Sequence, residues 1–287
     1  MRFRTFNEGA DRDCLFVMGW GNRWDHESVR WLIDQLADAD YRVHAAELPT
    51  RLEDFRADWV EPVAEYARDL DEFAMLGHSA GGLVATAIDG ADTHVYLSPF
   101  WGFPAQFPDW LLDLVARVPT TMPFVPTRID DPAVFGVYAG DERVRDTPSW
   151  LSPGFIRETR DAQSRLLPAN VNLAAIASGQ RRSPAQARSA ADEGEGVGGD
   201  VETDTTTAEE RPAPRTDLPT PRWSVEDDAV VFCSLSDEVA SLRAIGGRVN
   251  ADNVVLYEGG HELFASTSRD QHLPTLLAAL EEGDDAL

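Results

Sequence analysis

Short, wholly apolar runs alternate with helical hydrophobic patterns along the first hundred residues, and few architectures accommodate that alternation. Cys14-Leu-Phe-Val-Met18 is apolar throughout, as a strand covered on both faces must be. Val29, Leu32, Ile33 and Leu36 follow at helical spacing. Tyr41 to Leu48 reads as the next strand, ended by Pro49, and a helical stretch runs from about Asp54 to Leu70. Phe73-Ala-Met-Leu76 is a further strand, Gly81 to Ile88 a further helix, and Val95-Tyr-Leu97 closes the series. The opening Met1-Arg-Phe-Arg-Thr-Phe6 also reads as a strand rather than as a secretory leader. This pattern predicts the α/β class, with a mostly parallel sheet and helices on both faces.

From Phe100 the pattern changes. Residues 100–180 are rich in Pro, Trp and Phe without strand alternation, and predict a helical insertion. Trp110, Leu111, Leu114, Val115 and Val118 form one apolar stripe within it. Residues 181–222 carry Ala, Glu, Asp, Thr and Pro with almost no large apolar side chain, which predicts an acidic, disordered linker. After Trp223 the α/β pattern resumes. Val230-Val-Phe-Cys233 and Val254-Val-Leu-Tyr257 read as strands, with helices from about Glu238 to Ile245 and from about His272 to Leu280. Residues 1–99 and 223–287 are therefore expected to form one core.

Charge narrows the partners. Fifty acidic residues face 25 basic ones, every one of them arginine, for a formal net charge of −25. Such a surface repels phosphate backbones, which argues against nucleic-acid binding. It fits an acidic patch for a basic partner, or a very salty cytoplasm in which a screening length of about 3 Å at 1 M salt removes self-repulsion. The acids are spread over the whole chain, which favours the second, and the composition resembles that of haloarchaeal proteins. No run of apolar residues is long enough to span a membrane, and a cytoplasmic location is expected. Cys14 and Cys233 each sit in an apolar run; they predict a disulfide or, more commonly in such a compartment, two buried free thiols. No Cys/His cluster has zinc-ligand spacing, so neither metal nor cofactor is expected, and no obligate protein partner is implied.

Gly77-His-Ser-Ala-Gly81 carries the chemistry. The motif begins directly after an apolar strand and opens a helix. A sharp strand-to-helix turn lifts a serine hydroxyl off the sheet edge, and flanking glycines leave room for the tight turn. The N–H groups and positive dipole end of that helix suit a developing oxyanion.

With this motif in its strand–turn–helix context, residues 1–99 and 223–287 resemble the α/β-hydrolase family. The resemblance implies Ser79 as nucleophile and the insertion 100–180 as a cap or lid. Met18-Gly-Trp-Gly21 stands where the family commonly has His-Gly-x-Gly, which implies that the backbone N–H groups of Trp20 and Ala80 form the oxyanion hole. Met18 departs from the family's histidine, although a backbone donor does not depend on it. The family's chain order, Ser…Asp…His, implies Asp237 after the Val230–Cys233 strand and His261 in Gly259-Gly-His-Glu after the last strand. Asp227, Asp228 and Glu238 compete for the acid's role, and His272 alone competes with His261 beyond Asp237. His78 is implied to be the elbow's variable residue. Trp101, Phe103, Phe107 and Trp110 either line an apolar pocket over Ser79 or pack cap against core. The Gly-Trp-Gly element resembles that of small carboxylesterases, so the implied activity is cleavage of a carboxylic ester in a small-molecule acyl substrate. Acyltransferases, peptidases and C–C hydrolases share the same triad, and a hydrolase-like binding module needs none. Epoxide hydrolases and dehalogenases are disfavoured because their nucleophile is an aspartate.

Overall fold

A seven-stranded sheet organises the computed structural model, which describes residues 1–127, 129–166, 223 and 225–287. The expected acidic linker, residues 181–222, and the end of the expected cap, residues 167–180, lie outside the described residues. The strands are β1 (Arg2–Phe6), β2 (Arg12–Val17), β3 (Tyr41–Glu47), β4 (Phe73–His78), β5 (Thr93–Leu97), β8 (Val230–Ser234) and β9 (Val254–Tyr257). Their spatial order is β1-β3-β2-β4-β5-β8-β9. Only β1, at the edge, runs antiparallel to its neighbour.

The continuous apolar runs explain why these strands lie inside. Side chains alternate across a strand, so a parallel sheet needs apolar residues on both faces. Along β2, Leu15 and Val17 join one buried cluster while Cys14 and Phe16 join the other. The second cluster is closed by Val29, Leu32, Ile33 and Leu36 of α1 (Glu27–Asp38), and by Leu276, Ala279 and Leu280 of α8 (Arg269–Glu282), the helix that follows the short α7 (Leu242–Gly246). The first is closed by Trp59 and Val60 of a π-helical turn (Arg56–Val60), Val63 of α2 (Glu61–Ala67), and Leu83 and Val84 of α3 (Ala80–Ala85). Cys14 and Cys233 therefore sit on opposite faces of the sheet. Both thiols are free and buried, and burial, assisted by Asp13 and Asp237 respectively, pushes them up to about 12.

The insertion departs from expectation in two ways. It contains α4 (Asp109–Ala116), α5 (Asp141–Asp146) and α6 (Pro153–Arg165), but also a two-stranded antiparallel ribbon, β6 (Val125–Pro126) with β7 (Trp150–Leu151). A pair of two-residue strands leaves no alternation to read in a sequence. The apolar stripe of α4 is not the face that packs. Leu112 is buried, whereas Trp110, Leu111 and Leu114 are exposed. Arg160 of α6 donates to Asp109 at 3.0 Å and to Asp113 at 2.8 Å, which joins α4 to α6 along its Asp109/Asp113 side. The described residues form one compact unit, and no described helix is long and apolar enough to cross a membrane.

The tight βα turn after β4 depends on two glycines. A Cβ at Gly77 would stand 2.8 Å from Gly82 Cα and 2.9 Å from Ala85 Cβ, and one at Gly81 would collide with the Val17 carbonyl. Neither backbone neighbour can yield without moving β2 or α3. Gly81→Ala is thus expected to lower stability by about 3 kcal/mol, since overpacking against backbone finds no rotamer to relax into. Urea melts in concentrated KCl check this; a loss below about 0.5 kcal/mol, the range of an ordinary surface change, would contradict it.

Candidate active site

The segments beyond the C-terminal ends of the parallel strands carry Trp20, Ser79, Ala80, Asp237 and His261. Ser79 follows β4 directly. Its backbone is left-handed, with φ 52° and ψ −121°, a region that non-glycine residues rarely adopt. The conformation is held from both sides. Ser79 N–H donates to Leu97 O at 3.0 Å, and Ser79 C=O accepts from Gly82 and Phe100, each at 2.9 Å. Such over-determined strain sits where function needs a side chain displayed in one direction.

Asp237 lies in the loop after β8, and its carboxylate is clamped. Oδ1 accepts from the N–H groups of Val239 at 2.8 Å and Ala240 at 2.9 Å. Oδ2 is left for the His261 ring, 2.8 Å from Nδ1. An ionised carboxylate only accepts, so Nδ1 carries the proton and Nε2 presents its lone pair. The side chains of this pair are 2% and 1% exposed. Burial pushes the Asp237 carboxyl up, but the charge of His261, its hydrogen bond and the two backbone donors outweigh burial. The carboxyl ends below its ordinary value.

His261 follows β9 and is anchored through its backbone. Its N–H donates to Val134 O at 2.9 Å, and its carbonyl accepts from the Tyr257 hydroxyl at 2.9 Å. The ring packs 5.1 Å from that of His78, itself fully buried. Burial, then the neighbouring His261 and Arg143, hold His78 well below the ordinary histidine value, so it packs as a neutral ring.

The three side chains do not all bond to one another. Asp237 and His261 are joined; Ser79 and His261 line one cavity, and His261 Nε2 has no hydrogen-bond partner among the described residues. Trp20 and Ala80 line the same cavity, and neither backbone N–H donates to any described acceptor. The competing acids lie elsewhere: Asp227 and Asp228 are exposed before β8, and the exposed Glu238 lines the cavity without reaching the imidazole. His272, on α8, packs its ring against Phe232 and Tyr257.

The cavity has a volume of about 380 Å³. Of the four aromatic residues considered for it, Phe103 and Phe107 line it, with Phe100, Phe135 and Phe155 beside them. Trp101 is instead fully buried in the core, its Nε1 donating to Gly82 O at 3.2 Å. Trp110 faces outward, 68% exposed. Sequence reasoning missed Arg143, which also lines the cavity, its buried partner Glu262, and the buried Asn22 that donates to the same carboxylate. A polar residue in a charged stretch carries no sign that folding will bury it.

A serine on a strained turn, a histidine fixed by a carboxylate, and two residues whose N–H groups have no acceptor among the described residues line one cavity, an arrangement that suits acyl transfer through an oxyanion. Comparisons with known proteins bear on the scaffold. No curated protein matches significantly. A soluble variant of monoglyceride lipase from Saccharomyces cerevisiae, in complex with a substrate analogue, is similar with a TM-score of 0.57 at 11% identity, covering 98% of this chain and 90% of that one. An esterase from Exiguobacterium antarcticum is similar with a TM-score of 0.53 at 12% identity, covering 98% and 95%. A carboxylesterase structure from the thaumarchaeon Nitrososphaera gargenis gives 0.51 at 12% identity, again covering 98% and 95%. At such identities these likenesses speak for the fold alone. The model of the alpha/beta hydrolase family matches residues 15–271, nearly the whole length, and the chain belongs to that family.

Proposed function

We propose that the protein is a serine hydrolase that cleaves a carboxylic ester through an acyl-enzyme. One observation carries the reading: Asp237 fixes His261 through Nδ1, its Nε2 has no partner among the described residues, and His261 lines the same cavity as the strained Ser79. Ser79 Oγ attacks the acyl carbon as His261 Nε2 takes its proton, and Asp237 stabilises the imidazolium so formed. The N–H groups of Trp20 and Ala80 receive the oxyanion. His261 returns the proton to the leaving alcohol, and water then releases the acid with the same imidazole as base. The insertion 100–180 acts as a cap, and Phe103, Phe107 and Phe155 in its described part give the acyl group an apolar seat. The arginine-only, strongly acidic composition supports work at high salt.

Hydrolysis of p-nitrophenyl esters of graded acyl length, in concentrated KCl, tests this reading. Turnover is expected for acyl chains that fit the cavity and is expected to fall beyond them. A folded protein that hydrolyses none of the series would overturn the reading. Acyl-enzyme formation without release to water would redirect it to acyl transfer.

A further inference from the structure

A buried polar cluster lies behind the Trp20 peptide, and none of the steps above uses it. Arg143 of α5 is 2% exposed, Asn22 2%, and Glu262, the residue after His261, 0%. Arg143 Nε donates to Glu262 Oε1 at 2.6 Å, and Asn22 Nδ2 donates to the same oxygen at 3.0 Å. Arg143 also donates through Nη1 to Thr147 Oγ1, and through Nη2 to the Trp20 carbonyl at 3.4 Å. Its guanidinium lies 3.9 Å from the Phe135 ring centre. All three of its nitrogens are thus engaged by protein, so although Arg143 borders the cavity it is not an open anchor for a substrate anion.

The geometry of a peptide bond gives this cluster a role. Gly19 C=O and Trp20 N–H belong to one planar trans unit and point in opposite directions. Asn22 N–H donates to Gly19 O at 3.0 Å, which turns that carbonyl into the loop and leaves the Trp20 N–H pointing the other way. Asn22 is held in turn by its side-chain bond to Glu262, and the next peptide is held by Arg143 at the Trp20 carbonyl. Both peptides flanking the Trp20 Cα are therefore tied to one carboxylate, the first through Asn22 and the second through Arg143. That carboxylate belongs to the neighbour of His261.

We infer that Asn22, Glu262 and Arg143 are positioning residues that aim the Trp20 N–H at the developing oxyanion and register it against the His261 imidazole. The inference rests on the function proposed above. It assigns the cluster to the transition state rather than to substrate binding, because the oxyanion forms only as Ser79 attacks.

Asn22 offers the clean test. Its side chain reaches the cluster only through Nδ2, since Oδ1 is buried without a partner among the described residues, and Asn22→Ala removes that one bond to Glu262 without removing either member of the Arg143–Glu262 pair. Loss of an oxyanion donor costs about 10²–10³ in rate, and a misaimed donor is expected to cost about 10–100-fold in kcat with KM changed by less than about threefold. Affinity for a trifluoromethyl ketone, whose adduct carries the oxyanion, should fall by the same factor. The pH midpoint of kcat/KM should stay in place, since the Asp237–His261 pair is untouched. Should the alanine variant fail to fold, Asn22→Leu, close in volume, carries the same measurements. Unchanged kcat and ketone affinity would overturn the inference, and so would a loss accompanied by a shifted pH midpoint. With an active wild type, those outcomes remove only the positioning role; a wild type inert toward every ester removes the proposed function itself.

Discussion

Ser79→Ala is expected to lower ester turnover by about 10⁴–10⁶-fold while leaving the fold intact. The size follows from chemistry. The mutation removes the atom that forms the acyl bond, and what remains is the cavity and two N–H groups, which stabilise an oxyanion that water generates far more slowly. The intact fold follows from geometry. The left-handed turn at position 79 is fixed by backbone hydrogen bonds to Leu97, Gly82 and Phe100 and by the glycines on either side, none of which involves Oγ. Alanine has the same Cβ as serine and meets the same strain at φ 52°. The measurement is a pair: initial rates on the best ester of the series, and labelling by a fluorophosphonate, which forms a covalent bond with an activated serine. Wild type should label and the variant should not. A variant that keeps its rate would show that another residue attacks, and the assignment of the cavity would fail with it.

How far such a site can be read from sequence depends on the range over which its determinants act. The elbow is a local object. Gly77 and Gly81 are needed because a turn of this tightness leaves no room for a Cβ at either position, and that steric demand is written within the five residues that also carry Ser79. The strands are legible for a related reason: both faces of β2 and β4 are covered, so their apolar runs are unbroken. Asp237 and His261 are legible in position, each following an apolar strand, but their meeting at 2.8 Å is a property of the sheet order, which sets β8 beside β9. What stayed hidden is governed by distance along the chain. Asn22 and Glu262 are 240 residues apart, and Arg143 and Glu262 are 119 apart, so no spacing foretells their contact. The α4 stripe misled for a different reason. Periodicity identifies an apolar face, but not which face tertiary packing turns inward: Leu112 is buried and the Asp109/Asp113 side is bonded to Arg160, while Trp110, Leu111 and Leu114 stay exposed.

Asp237→Asn tests the acid of the proposed triad, and an effect of about 10⁴-fold on kcat is expected although the substitution is nearly isosteric. The clamp on Asp237 dictates the mechanism of loss. Oδ1 accepts from two backbone N–H groups, so an asparagine must keep its carbonyl oxygen there, because its NH2 would face two donors. The NH2 is then forced toward His261 Nδ1. A donor opposite Nδ1 makes that nitrogen accept and moves the ring proton to Nε2, the atom that must take the proton from Ser79. The histidine keeps its place and loses its function as a base. Wild type should show no matching loss near neutral pH. Burial raises the Asp237 carboxyl, but His261 and the backbone donors lower it further, so the folded value lies below the ordinary carboxylate value of about 4. A folded value below the unfolded one means that Asp237 contributes stability in full above the ordinary value, and that this contribution fades only as pH falls through the folded value. The asparagine variant, with nothing to ionise at that position, should lack this part of the acid-side fall in stability while being nearly inactive at every pH. Rates and acid unfolding curves for the two proteins, measured side by side in concentrated KCl, separate the alternatives. An asparagine variant within about tenfold of wild type would mean that the pair at 237 and 261 braces the loops rather than driving proton transfer.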